Sequence, residues 1–170
     1  MLFESHIKWQ LPTPDLYPQA MFGSIRTYDI HTGIDIFIPN NSKVFPIKNG
    51  SVINIEWFTG TKSSPPTPWW NDTKAIWVQT EGEKEVFVYG EIEVNETIKI
   101  GTKVSTNDYI GTIVQVLKMN KGINPTTMLH LELYSDIPNE TVIWNHDKTK
   151  PQFLLDPTDI VKGIINDKVV

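Results

Sequence analysis

Residues 127–134 carry the pattern that most restricts the fold of this chain. Met128, His130, Glu132 and Tyr134 alternate there with Leu129, Leu131 and Leu133. A period of two puts the first set on one face of a β-strand and the leucines on the other. A helix, turning by about 100° per residue, would scatter the same leucines around its circumference. The segment therefore predicts a strand with one apolar face and one face that carries ionisable groups. Composition extends this reading to the whole chain. Ile, Val and Thr supply about 50 residues against only two Ala, a balance that suits pleated strands better than helix bundles. The expected fold is all-β: a single domain of antiparallel sheets with little helix.

Turn and strand signals place the other elements. Ile30, Ile34, Ile36 and Ile38 predict a strand over 29–39 that ends at Pro39, Asn40 and Asn41. Residues 44–47 and 51–58 read as two strands joined by a tight hairpin turn at Lys48, Asn49 and Gly50. Strands at 74–80 and 85–92 flank a second hairpin signal, Glu81, Gly82 and Glu83. Short strands follow over 98–111 and at 113–117, then a Gly, Pro and Asn loop at 120–125. Pro12, Pro14 and Pro18 make residues 1–22 an extended arm or edge strand. One short helix is expected near 159–165, opened by a Thr or Asp cap. Residues 59–73 are the one long irregular stretch, and loops of that length inside a compact domain are usually functional or mobile.

The net charge is -5 and no basic stripe is visible, which argues against nucleic acid as a partner. No apolar run reaches about 18 residues, so no membrane span is expected. Glu4, His6 and Lys8 interrupt the N-terminus where a signal peptide needs an apolar stretch. The expectation is a soluble chain whose localisation stays open between a phage-borne or otherwise released protein and an intracellular role. The absence of cysteine excludes a disulfide scaffold, a thiolate nucleophile and Cys-ligated zinc. A metal site would have to be built from His and carboxylates.

There are four His. His6 and His146 have no partner at ligand spacing and read as surface residues. His31 and Asp35 lie four residues apart, on a flat strand two pleat repeats of about 6.6 Å each. That is too far for one ion, whose bonds to such ligands are about 2.0–2.2 Å. Gly33 between them permits a bulge or bend that would close the gap. The pair fits either a metal site or a surface His beside a turn-capping Asp. His130 fits either a satisfied half-buried residue or a ligand. Joined to His31 and Asp35 it would complete two imidazoles and one carboxylate, leaving the fourth position of tetrahedral zinc for water. Glu132 and Tyr134 share its face. Glu132 is either a solvent-facing strand residue or the acceptor for a ligand ring N–H. Trp69 and Trp70, in the long loop, suit a saccharide- or peptide-binding rim or equally serve as loop anchors.

Several stretches, in order, resemble the lysostaphin/LytM-type zinc metallopeptidases. After Phe22 and Gly23, His31 and Asp35 match that family's H-x-x-x-D segment, and Val44, Pro46, Gly50 and Val52 match the hairpin after it. Tyr89, Glu91 and Ile92 stand where the family has a Y-x-H-L strand. Ile100, Gly101, Val104, Ile110 and Gly111 match its later turns, residues 129–133 its H-L-H-F-E strand, and Leu155, Asp156 and Pro157 its closing Pro segment. The resemblance covers about residues 20–160. It implies a β-sheet fold of the duplicated hybrid motif type, and zinc (Zn2+) held by His31, Asp35 and His130. It also implies hydrolysis of peptide cross-bridges or stems in bacterial peptidoglycan. On it the chain divides into an N-terminal arm (1–22), a LytM-like domain (23–165) and a tail (166–170).

Two positions depart from the family. Glu91 stands at the catalytic His of Y-x-H-L, and Met128 at the first His of H-x-H. In the family these residues handle the water proton and the tetrahedral intermediate. The thioether of Met128 can do neither. Glu91 is either a general base, the part a Glu plays in H-E-x-x-H peptidases, or a fourth ligand that closes the site. The resemblance thus implies a zinc-dependent peptidase or amidase with Glu91 as base. Its alternative is a catalytically degenerate cell-wall-binding, regulatory or scaffold module.

Overall fold

The computed structural model describes residues 2–119, 125–138 and 142–166. Strands β1 (Ile34–Phe37), β2 (Lys43–Val44), β3 (Gly50–Thr59), β4 (Thr73–Thr80), β5 (Val86–Val94), β6 (Lys103–Val104), β7 (Gly111–Ile113), β8 (Met128–Tyr134) and β9 (Leu154–Leu155) form one sheet. A helix, α1 (Thr158–Asn166), follows. The main path of the sheet runs β1-β8-β5-β4-β3-β6, with β7 joined to β5 and β2, and β9 to β8. Every pairing is antiparallel. The all-β, antiparallel expectation therefore holds, and the expected helix is present. The carboxylate of Asp156 accepts the Thr158 N–H at 2.9 Å at its start. Residues 120–124 of the expected Gly, Pro and Asn loop, and the tail beyond 166, lie outside the described residues. No helix among the described residues is long and apolar enough to cross a membrane.

The alternation in β8 places its leucines as expected. Leu129, Leu131 and Leu133 enter the main core with Ile34, Ile36, Ile76, Val78, Phe87 and Tyr89. Burial of about 1.5–3 kcal/mol per leucine makes a one-residue slip of β8 prohibitive, since it would turn all three out of this core. The opposite face of β8 is buried as well. Tyr134 packs there with Trp77, Val86 and Val88, and Met128 with Ala20 and Phe37. His130 and Glu132 therefore lie inside the protein. The arm contributes to this coverage: Leu2 and Phe3 are fully buried, and Gln10 exchanges two backbone hydrogen bonds of 2.9 Å with Phe37 along the outer edge of β1.

Two local expectations fail. The strand predicted over 29–39 starts only at Ile34, because the chain bends at Gly33. The expected hairpin around Asn49 and Gly50 does not form, since β2 pairs with β7 and not with β3. Gly50 belongs to β3, where it pairs with Thr80 and Val104. A Cβ at Gly50 would stand 2.2 Å from the Gln79 carbonyl oxygen, so the glycine serves close strand approach and not a turn. The second hairpin signal holds: β4 and β5 are paired around Gly82, whose φ is 76°.

Candidate metal centre

The bend at Gly33 brings His31 back over Asp35. A Cβ at Gly33 would come 2.5 Å from the Leu131 carbonyl oxygen and 2.9 Å from His130 Nε2, so only glycine lets this turn lie against β8. Asp35 pairs directly with His130 across β1 and β8, and His130 with Gly90 across β8 and β5. Cross-strand register thus supplies two of the site residues and the bend supplies the third.

The donor atoms converge. Asp35 Oδ1 lies 2.9 Å from His130 Nδ1 and 3.2 Å from His31 Nε2, and the two ring nitrogens are 3.1 Å apart. Each ring is held from behind. His31 Nδ1–H donates to the Met21 carbonyl at 2.9 Å, and His130 Nε2–H donates to Glu132 Oε1 at 3.0 Å. Those bonds leave His31 Nε2 and His130 Nδ1 facing Asp35. Glu132 is fixed in turn by the Tyr134 hydroxyl at 2.5 Å and by the Thr32 hydroxyl. On the outer side, Arg26 Nη2 donates to Asp35 Oδ2 at 2.5 Å.

The electrostatics follow from this packing. Burial lowers the His31 pKa against the pull of Asp35. Burial also opposes charge on His130, but its hydrogen bonds with Asp35 and Glu132 outweigh burial and push the pKa up to about 10. Burial alone would raise the pKa of Asp35 and Glu132. Asp35 is nevertheless held well below the usual carboxylate range by neighbouring His31 and Arg26, and Glu132 is lowered by the bonds it accepts. The metal-free site therefore keeps a proton on His130 Nδ1, among three atoms able to bind a cation. Two imidazole nitrogens and one carboxylate, all within 4.8 Å of one another, form a donor set suited to zinc.

Glu91 sits at a β-bulge. Lys74 pairs with Ile92 and Ile76 with Tyr89, so Gly90 and Glu91 together oppose the single residue Ala75. Glu91 has φ of 64°, the left-handed region that non-glycine residues rarely occupy. Its Oε2 is buried with no hydrogen-bond partner among the described residues. Burial, reinforced by the charge of Asp35, raises its pKa to about 8. Glu91 is not part of the group of donor atoms within 4.8 Å of one another. Met128 brings no polar group to the site, since it packs against Ala20, Phe37 and Tyr17.

The structure brings His31, Asp35, His130, Glu132 and Tyr134 into one hydrogen-bonded network. Trp69 and Trp70 do not join it. They meet edge to face with centroids 6.3 Å apart, Trp69 is 58% exposed, and Trp70 bridges to Leu117. Two residues escaped the sequence reading. Phe58 packs on His130 with centroids 5.1 Å apart, in space left by Gly90, where a Cβ would lie 2.6 Å from the ring. Arg26 is the other, and it had a signal: it is the one arginine in a chain that otherwise uses lysine.

Solved structures of lysostaphin and LytM peptidases share this architecture. A structure of LytU aligns over 94% of this chain and 89% of its own, with TM-score 0.59 and 15% identity. The catalytic domain of the antimicrobial peptidase lysostaphin from Staphylococcus simulans aligns over 84% of this chain and 89% of its own, with TM-score 0.54 and 14% identity. A mutant catalytic domain of the prophage-encoded M23 protein EnpA from Enterococcus faecalis aligns over 88% and 95%, with TM-score 0.53 and 18% identity. Another lysostaphin structure is covered over 48% of its length, so the chain spans about half of that protein. No protein-family model and no curated protein matches the sequence. At these identities the likeness defines the fold: the chain has the β-sheet fold of the lysostaphin/LytM peptidases.

Proposed function

We propose that this chain is a zinc-dependent hydrolase of peptide amide bonds, of the lysostaphin/LytM type, acting on peptidoglycan peptides. His31 Nε2, Asp35 Oδ1 and His130 Nδ1 hold the metal, with Glu132 and Tyr134 orienting His130. Zinc bound there supplies a Lewis acid that acidifies water and polarises an amide carbonyl. Glu91 is the general base: it takes the proton of the attacking water and returns it to the leaving amine. A carboxyl with pKa about 8 is suited to both transfers near neutral pH. The observation that carries this reading is the convergence of three donor atoms, each fixed from behind, with a buried carboxylate oxygen that has no partner among the described residues and lies within electrostatic reach.

One observation favours a second reading. Met128 is sealed in an apolar cluster, so this site has one proton-handling side chain where the family has two. A binding or scaffold module would keep the metal and lack turnover. Zinc content and cleavage of purified peptidoglycan, measured together, separate the two. The hydrolase reading expects one zinc per chain and multiple turnovers. Bound zinc with no released peptide or amine, even at enzyme-level excess, supports the module.

A further inference from the structure

We infer that Arg26 is a catalytic residue: its guanidinium donates hydrogen bonds to the scissile carbonyl oxygen as negative charge develops there, the task that Met128 cannot perform. This inference rests on the hydrolase reading above.

A donor inventory singles out Arg26. Around the three converging atoms, His31 Nδ1–H is committed to Met21 and His130 Nε2–H to Glu132. The hydroxyls of Thr32 and Tyr134 are also committed to Glu132. Met128 and Phe58 carry no donor. Arginine presents five N–H groups in a planar fork. Arg26 Nε donates to the Gln19 carbonyl at 3.0 Å and Nη2 to Asp35 Oδ2 at 2.5 Å. The remaining N–H groups have no partner among the described residues.

Its position suits the role. Asp35 Oδ1 faces the metal donors while Oδ2 faces Arg26, so the guanidinium sits one carboxylate width from the reacting centre. The Arg26 side chain is 30% exposed whereas Asp35 is 8%, so it links the buried donors to the protein surface. The backbone beneath it is hydrogen-bonded. Arg26 N–H donates to the Asp29 carbonyl at 2.8 Å, and His146 Nε2 contacts the carbonyls of both residues at 3.0 Å. The same hairpin returns to His31, whose N–H donates to the Ser24 carbonyl. Donors preorganised in this way act on charge that appears only in the transition state.

Water loses a proton to Glu91 as its oxygen bonds to the carbonyl carbon, and the carbonyl π pair moves onto the oxygen facing Arg26. That pair then re-forms the C=O, the C–N bond breaks, and the Glu91 proton passes to the departing nitrogen. The products are a carboxylic acid, which ionises, and an amine.

The test compares wild type, Arg26→Lys and Arg26→Gln as full chains loaded with zinc. Metal content is read by mass spectrometry, kcat and KM on a purified peptidoglycan digest, and affinity for a peptidyl phosphinate by calorimetry. The phosphinate mimics the tetrahedral centre. Arg26→Gln is expected to keep one zinc, to lose about 100- to 1000-fold in kcat with little change in KM, and to bind phosphinate correspondingly more weakly. Arg26→Lys should fall between the two. Wild-type kcat and phosphinate affinity in Arg26→Gln would overturn the role. So would activity restored fully by excess zinc, which would reduce Arg26 to a support for Asp35. A zinc-loaded wild type that cleaves nothing overturns the hydrolase reading itself and this role with it.

Discussion

Around His130 each polar atom of the network has a partner, whereas beside it Glu91 keeps a buried oxygen without one among the described residues. The two regions touch the same strands and are built to opposite ends. On the His130 side, Glu132, Tyr134 and Thr32 spend their hydrogen bonds on fixing one ring, and Met21 fixes the other. On the Glu91 side, a bulge, a left-handed backbone and a raised pKa keep a carboxyl in a state that costs stability. Full satisfaction suits an orienting scaffold, and the unsatisfied group suits a reagent. The difference teaches that, on the proposed function, metal binding and proton transfer fall to separate groups, so substitutions should divide them.

The largest effect falls on the satisfied side. His31→Ala should abolish stoichiometric zinc binding and reduce hydrolysis on the order of a thousandfold or more, measured by metal analysis and peptide release. Chelation of the wild type should give the same loss, reversed by added zinc. Glu132→Ala comes next: the His130 ring loses its acceptor, and zinc affinity should fall about 10- to 100-fold in a competition titration. Retained affinity there would mean that β8 packing alone orients the ring.

Proton competition sharpens the same point. Zinc must displace the His130 proton, whose pKa stands at about 10 in the metal-free protein. Apparent zinc affinity should therefore rise about tenfold per pH unit between pH 7 and 9 and level off above about 10. Without zinc the sign reverses. The raised pKa contributes stability that is complete below about pH 6.5 and fades as pH rises through about 10. The smallest effect belongs to Met128. Because it packs with Ala20 and Phe37, Met128→Leu should leave zinc and kcat within a few-fold and shift stability by less than about 1.5 kcal/mol in denaturant unfolding.

Legibility in the sequence followed the same division. The leucine alternation specified β8 because side chains along a strand report burial at a period of two, and the core rewards only one register. His31 and Asp35 could be paired only by supposing a bend at Gly33, and that bend exists because Leu131 and His130 lie where a Cβ would be. The Asn49 and Gly50 turn misled, since a glycine required by the approach of another strand looks the same in sequence as one required by a turn. The burial of the His130 face was not legible either. It depends on Phe58 and on the Ala20 and Phe37 cluster, contacts distant in sequence that no local pattern announces. Family resemblance singled out Glu91, but its buried oxygen without a partner among the described residues is a property of the packed bulge.

Glu91→Gln tests the central claim most directly, because glutamine keeps the shape of the side chain and removes the base. Zinc content and cleavage of purified peptidoglycan should be measured on the same samples of wild type and variant. The account predicts one zinc per chain in both, turnover in the wild type, and a rate lower by about 100- to 10,000-fold in Glu91→Gln. Equal zinc with equal cleavage in the two proteins would contradict it.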